Sequence, residues 1–134
     1  MKVKAAFIYN GLQTILDLSE KPMPVRLSAK LLRLADDLTK ENTIIEKQRD
    51  LIIEKYGDKD ENGILLVQNS SVTFKNTEIA NQAQAELDEL ANLDIEITDR
   101  DITEEELIDA NIELSMSQLA ALRNFFHKEE NIEE

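Results

Sequence analysis

Residues 24–56 read PVRLSAKLLRLADDLTKENTIIEKQRDLIIEKY, and this stretch decides the fold. Its apolar residues recur at steps of three, four and seven, which predicts one amphipathic helix from about Pro24 to Tyr56: Leu27, Leu31, Leu34, Leu38, Ile45 and Ile52. Two positions of the same rhythm, Glu41 and Gln48, are polar and interrupt the seam that a long coiled coil would need. At about 1.5 Å per residue the helix is roughly 45–50 Å long. Part of it should therefore overhang the core, pack against a second copy, or be covered by other parts of the chain.

The last two turns of this helix carry the apolar residues Leu51, Ile52, Ile53 and Tyr56. This cluster is wider than one packed face requires, so we predict that it contacts a partner protein. The alternative is that all four side chains belong to the intramolecular core. Gly57 follows directly and is expected to end the helix in a left-handed conformation.

Shorter elements are predicted on both sides of the long helix. The stretch Val3–Tyr9 fits either a strand or the start of a helix. The remaining predictions are a helix from Gly11 to before Pro22, strands at 64–67 and 72–74 with a turn at 68–71, a helix from Asn76 or Thr77 to about Asn92, and a strand at 93–97. Two short helices should follow, because Thr103 with Glu106 and Ser115 with Gln118 each match the reciprocal capping arrangement of a helix start. The predicted fold class is α+β: one long amphipathic helix, shorter helices, and a small mostly antiparallel sheet combining hairpin 64–74 with strand 93–97.

The chain has 134 residues, which suits one domain, and we predict a single domain over 1–128 followed by an acidic frayed tail at 129–134. The absence of cysteine excludes disulfides, thiolate zinc sites and a cysteine nucleophile, and the single histidine, His127, excludes a histidine-rich metal cage. The phosphate-binding and nucleophile-elbow motifs are also absent. We therefore expect a protein that is not an enzyme and holds no cofactor. Its first residues lack a secretory signal, so the expected location is the cytoplasm.

Charge is distributed unevenly along the sequence. Residues 1–67 carry eleven Lys or Arg and eleven Asp or Glu, whereas residues 68–134 carry four and seventeen, which accounts for the net charge of −13. Such a field repels phosphate backbones and argues against direct binding of nucleic acid, but it attracts basic protein surfaces. The acidic patch Asp99, Asp101, Glu104, Glu105 and Glu106 is the candidate region for such a contact. The simpler explanations are solubility and a favourable interaction with a helix N-terminus.

The loop Asp58-Lys59-Asp60-Glu61-Asn62-Gly63 matches the first six positions of an EF-hand. Oxygen ligands stand at positions one, three and five (Asp58, Asp60 and Asn62), with glycine at six. The twelfth position, however, is Asn69 instead of the usual glutamate. A weak cation site at Asp58, Asp60 and Asn62 is one interpretation, and ordinary turn chemistry, in which Asp and Asn bond to the local backbone, is the other.

Four stretches occur in an order that resembles a family of short, uncharacterised proteins encoded by phages and prophages of Gram-positive bacteria. They are PMPVRLS at 22–28, LIIEKYGDKDENG at 51–63, LDIEI at 93–97 and LSMSQL at 114–119. The resemblance covers nearly the whole chain, and 54–60 is its most specific part. It implies a phage protein made in the bacterial cytoplasm that acts by contacts, and it transfers no catalytic residue. Ser117 stands where many relatives have proline.

Two functional hypotheses follow. The first is a non-enzymatic phage accessory or virion-assembly protein that binds phage structural proteins, or a second copy of itself, through the long helix. The second is an inhibitor whose acidic C-terminal half imitates nucleic acid and occupies a basic site on a host enzyme, such as a defence enzyme. Neither involves the membrane. A metal-dependent enzyme would need a cleft that joins acidic residues far apart in sequence.

Overall fold

The computed structural model describes residues 1–128 and has an α+β fold, as predicted. The elements, in chain order, are β1 (Lys2–Lys4), a 3-10 turn (Ala5–Phe7), α1 (Ile8–Asp17), α2 (Val25–Tyr56), β2 (Val67–Gln68), β3 (Ser71–Val72), α3 (Thr77–Ala91), β4 (Asp94–Glu96), α4 (Glu104–Asp109) and α5 (Met116–Arg123). The ambiguous first segment is a strand that becomes a helix. The predicted acidic tail at 129–134 lies outside the described residues.

The long helix α2 is confirmed and is continuous over 32 residues. It begins just after Pro24, whose ring suits a helix start because the missing N–H would have no partner there. The predicted left-handed Gly57 is wrong, since Gly63 is the glycine with positive φ, at 77°. Gly57 is needed for a different reason: a Cβ there would lie 2.6 Å from Leu65 Cδ2 and 2.8 Å from Val72 Cγ1. The helix ends where the hairpin packs directly on its backbone.

The predicted single sheet is wrong, because the strands form two separate two-stranded sheets. β4 pairs antiparallel with β1, with Val3 opposite Ile95, whereas β2 and β3 pair only with each other among the described residues. The hairpin turn is also tighter than predicted. Asn69 and Ser70 occupy it with φ of 52° and 65°, the left-handed geometry that matches the twist of a two-residue hairpin. The N-terminal strand thus supplies the partner that the sequence pattern assigned to the hairpin.

Hydrogen bonds at the helix starts explain where the shorter helices begin. Asn76 Oδ1 accepts from Ile79 N at 2.9 Å, which caps α3. The reciprocal box predicted between Ser115 and Gln118 is confirmed, with bonds of 3.0 and 3.1 Å. At α4, Thr103 caps the Glu106 amide as predicted. The Glu106 carboxylate, which the predicted reciprocal arrangement directs back to the Thr103 amide, instead lies 2.9 Å from Lys30 Nζ of α2.

Contacts along the chain group the residues into two compact units. The first unit comprises residues 1–42 together with the chain from Asp94 onward, and the second comprises Thr43–Leu93. The core of the first unit is built from α1, the start of α2, and the segments around α4 and α5, with Ile8, Leu18, Leu38, Leu122 and Phe125 among its most buried side chains. Helix α2 contributes to both units. The single domain expected from chain length stays a prediction, which the cooperativity of unfolding tests.

Candidate interaction surface of the second unit

Burial changes along the apolar stripe of α2. In the first unit, Leu27, Leu31, Leu34 and Leu38 are all at most 4% exposed. In the second unit, Ile45 and Ile52 of the same stripe are only half-buried. On the neighbouring face, Ile44 is 50% exposed and Leu51 is 62% exposed. The covered part of the helix therefore ends near the boundary between the units.

The second unit has almost no buried core of its own. Ala83, in α3, is its one fully buried residue, and the first unit holds every other buried apolar side chain described in residues 1–128. At the same time the second unit exposes six large apolar side chains: Ile44, Leu51, Ile64, Leu66, Val67 and Leu93. Within residues 1–128 the first unit exposes seven large apolar side chains but buries sixteen apolar residues, whereas the second unit exposes six and buries one, and this imbalance marks the second unit.

Three of these side chains, Ile64, Leu66 and Val67, come from the segment leading into the hairpin and form what we call the hairpin ridge. The segment is held by backbone bonds, because Leu66 N donates to Asp58 O and Leu66 O accepts from Thr73 N. Leu65 turns inward and lies over Gly57. Since alternate residues of a strand point to opposite faces, Ile64 and Leu66 lie on the face away from Leu65, whereas Val67 shares the face of Leu65 and is nevertheless 61% exposed. A hairpin of this size is marginal in water unless something packs on it.

The predicted contact residues Leu51, Ile52, Ile53 and Tyr56 do not share one environment. Leu51 is exposed, whereas Ile52, Ile53 and Tyr56 are half-buried. Lys55 Nζ lies 4.8 Å from the centre of the Tyr56 ring and 3.3 Å from Glu86 Oε1 in α3. Hydrogen bonding with Tyr56 and the charge of Lys55 lower the pKa of Glu86. Lys55 thus links α2 to α3 through Glu86, and Leu51 is the exposed member of the predicted contact group.

The Asp58 loop uses its side chains inside the turn. Asp60 Oδ1 accepts from the backbone amides of Asn62 at 2.8 Å and Ile64 at 3.1 Å, and Asp58 Oδ1 accepts from the amide of Lys59. These are the bonds of an Asx turn, which favour the second interpretation of the motif. No group of three or more His, Cys, Asp or Glu side chains within residues 1–128 could hold a metal ion. The cation site at Asp58, Asp60 and Asn62 stays a prediction.

The predicted acidic patch is largely paired with cations. Lys30 Nζ lies 2.9 Å from Glu106 Oε1 and also bonds to the carbonyl oxygen of Asp101. Arg123 lies 3.4 Å from Glu104. Glu105, by contrast, is exposed. The carboxylates are thus partly neutralised by residues from α2 and α5, which weakens the field that a basic partner would meet.

Asp99, the first residue of that patch, binds His127, which lies close to the end of the described residues. Its Oδ2 lies 2.6 Å from His127 Nδ1, and its Oδ1 accepts from the backbone amide of Asp101. Partial burial acts to raise the pKa of Asp99, but the hydrogen bonds from Asp101 and His127 outweigh it, and the pKa lies below its usual value. The side chains of Asp99 and His127 are thus paired with each other within the chain.

The hairpin ridge is the part of the surface that sequence reasoning missed. Residues 64–67 were interpreted as an ordinary strand. The available signal was that both faces of that strand are apolar, Ile64 and Leu66 on one and Leu65 and Val67 on the other. Leu65 packs on the helix end at Gly57, whereas Ile64, Leu66 and Val67 stay exposed, so both faces of the segment keep apolar surface open to a partner.

None of the helices within residues 1–128 combines the length and the hydropathy needed to cross a bilayer. Comparisons with protein-family models, with curated proteins and with solved structures found no match to this chain.

Proposed function

We propose that the protein is a non-enzymatic accessory or virion-assembly protein of a phage, and that it acts through contacts made by the second unit. One observation carries this proposal: the second unit buries a single alanine while it exposes six large apolar side chains. Fully burying one Leu or Ile is worth about 1.5–3 kcal/mol. A partner that covers these side chains therefore supplies apolar burial that the second unit does not obtain within its own residues.

The phage context of the proposal rests on the resemblance described from the sequence. Its most specific stretch, residues 54–60, lies at the end of α2 and in the following loop, within the second unit. The proposed place of action is the bacterial cytoplasm during infection, with the virion as a further place if the protein is assembled into particles. Binding partners are expected to be phage structural proteins or other copies of the chain.

The acidic-mimic hypothesis has less support, because Asp99, Asp101, Glu104 and Glu106 each lie within 4 Å of a cationic or histidine side chain. The two hypotheses differ in their response to salt. Apolar contact persists as ionic strength rises, whereas a charge-driven complex weakens steeply. Charge reversal at Asp99, Asp101 and residues 104–106 should leave binding through the second unit unchanged and would abolish binding by a mimic.

Site-specific photo-crosslinking in infected cells tests the proposal. A photoreactive benzoyl-phenylalanine at Leu51 is compared with the same group at Arg49, which is exposed on the opposite side of α2. We expect an adduct of defined mass from position 51, absent from position 49 and lost when Ile44→Asp and Leu66→Asp are added. Equal adducts at both positions, or none at position 51, would contradict the proposal.

A further inference from the structure

Resting on the proposed function, we infer that the partner of the second unit is a second copy of this chain. Two copies pair antiparallel through the exposed face of α2 that carries Ile44 and Leu51, which we call the Leu51 face. The pairing is centred between Asp50 and Leu51. The inference follows from the geometry of this face, its charge and the order of its charged residues.

The Leu51 face is defined by helix geometry. Residues of an α-helix advance by about 100° each, so Ile44 and Leu51, seven apart, lie almost above one another. Lys47 and Glu54 flank them on one side, and Gln48 and Lys55 flank them on the other. Ile45 and Ile52 lie about 100° away, on the half-buried side. The face is thus a narrow apolar line with a polar border on each side, which suits packing against another helix.

Charge favours a copy of the chain at this place more than elsewhere. The net charge of −13 comes from residues 68–134, so copies of the chain repel each other most strongly through that half. Along the Leu51 face, however, the bordering charges are Lys47, Glu54 and Lys55, and Lys55 is already paired with Glu86. Two copies that meet along this segment bring no net like charge into contact.

The order of the charges selects the direction of pairing. In an antiparallel pair centred between Asp50 and Leu51, Lys47 of each copy lies opposite Glu54 of the other, and the two Leu51 side chains lie side by side. In a parallel pair the two opposite borders of the face would meet instead, so Lys47 would lie beside Gln48, and Glu54 would lie beside Lys55, which is already paired with Glu86. Glu54 Oε1 already lies 2.9 Å from Lys59 Nζ, but the Glu54 side chain is 55% exposed, so its carboxylate remains open to a second cation.

The size of the contact sets the expected affinity. The helix segment 43–56 is about 20 Å long. A pair of such segments buries less than the roughly 1,200–2,000 Å² of a standard interface, even with some contribution from the hairpin ridge. We therefore expect a weak, reversible dimer that dissociates on dilution.

Sedimentation velocity of the purified full chain over a wide concentration range, with a charge-swap series, tests the inference. Lys47→Glu and Glu54→Lys should each weaken self-association about tenfold, because each creates two like-charge contacts per dimer. The double variant should recover most of the loss, since each new glutamate then faces a new lysine. A wild-type monomer up to about 1 mM, or a double variant as weak as the single ones, would overturn the inference.

A cysteine scan provides an independent readout, because the chain contains no cysteine of its own. Leu51→Cys should form a disulfide-linked dimer under mild oxidation, since the two residues lie side by side across the pairing axis. Arg49→Cys, exposed on the opposite side of the helix, is the matched control and should stay monomeric. Equal dimer yields from both variants would contradict the pairing.

Failure of this inference can be distinguished from failure of the proposed function. If the purified protein is monomeric but position 51 crosslinks to a different protein in infected cells, the second copy is excluded and docking through the second unit stands. If position 51 gives neither a dimer nor a specific adduct, both proposals fall.

Discussion

The two parts of α2 carry one apolar stripe but meet different surroundings. Leu38, in the first unit, is completely buried, whereas Ile45 and Ile52 of the same stripe, in the second unit, are only half-buried. The first part is covered by α1 and the C-terminal segments, which bring their own apolar side chains, among them Ile8, Leu18 and Phe125. The second part has only α3 and a small hairpin nearby. Amphipathic periodicity therefore indicates which face of a helix is apolar, but not whether other segments of the same chain cover that face.

The largest expected effect contrasts two leucines of α2. Leu38→Ala should lower the free energy of unfolding by about 2–5 kcal/mol, because it leaves a cavity in a packed core. The matched change Leu51→Ala should cost less than about 0.5 kcal/mol in dilute solution. Urea denaturation of both variants measures the difference. Equal losses of unfolding free energy would mean that Leu38 and Leu51 are equally buried in solution, which would contradict the contrast between the two parts of α2.

The same variants test whether the chain folds as one domain. If it does, Leu38→Ala should weaken hydrogen-exchange protection in residues 43–93 as much as in the first unit. Unchanged protection in the second unit would show that the two units open separately.

A second contrast concerns Gly57, where the hairpin packs on the end of α2. Gly57→Ala should destabilise the second unit by about 1–3 kcal/mol, because the new Cβ would crowd Leu65, Val72 and the carbonyl oxygen of Ile53. Gly63→Ala is the control: its Cβ meets open space, and the positive φ should cost about 1 kcal/mol. Hydrogen exchange at 57–73 provides the measurement. A smaller effect at Gly57 than at Gly63 would argue against this packing.

A third contrast compares one ion pair from each unit. In the first unit, Arg100 donates to both Asp37 carboxylate oxygens, at 2.8 and 2.9 Å, and both side chains are less than a third exposed. Arg100→Ala should cost about 1–2 kcal/mol, and Arg100→Lys should recover only part of it because lysine lacks the two-pronged geometry. Lys55→Ala, which removes the more exposed pair with Glu86, should cost less. Thermal melts of the three variants measure these losses of stability. A larger loss for Lys55→Ala than for Arg100→Ala would contradict the expected order.

The smallest expected effect is on pH dependence. The pKa of Asp99 is lowered in the folded protein, so its contribution to stability is present above the usual aspartate pKa of about 3.8 and is lost as the pH falls through the lowered value. Asp99→Asn should therefore lower the melting temperature slightly at pH 7, and the difference from wild type should shrink below about pH 4. A difference that stays constant from pH 7 to pH 3 would show that the charge of Asp99 does not contribute.

Local signals account for most of the elements that were predicted correctly. The spacing of leucines gave α2, and the Ser115 and Gln118 pair gave the start of α5, because both depend on residues close in sequence. The partner of strand 93–97 could not be predicted in this way. The strand pairs with residues 2–4, about ninety positions away, and nothing in its alternating pattern distinguishes that edge from the hairpin.

The candidate surface was predicted only in part. Of the four predicted contact residues, Leu51 is exposed whereas Ile52, Ile53 and Tyr56 are half-buried, and their contact with a partner stays a prediction. The exposed hairpin ridge was not among the predicted residues. The acidic patch as a binding region also stays a prediction. Its pairing with Lys30 and Arg123 depends on distant segments, so sequence could not show it.

The sequence by itself determined the long helix, its apolar stripe, the uneven charge and the positions of the caps, since all of these depend on residue type and short-range spacing. Only the tertiary structure decided which stretch of the stripe is covered, which edge the strand at Asp94–Glu96 joins, and which carboxylates find a cation. Those outcomes depend on long-range packing, in which burial is shared among segments that the chain brings together only when it folds.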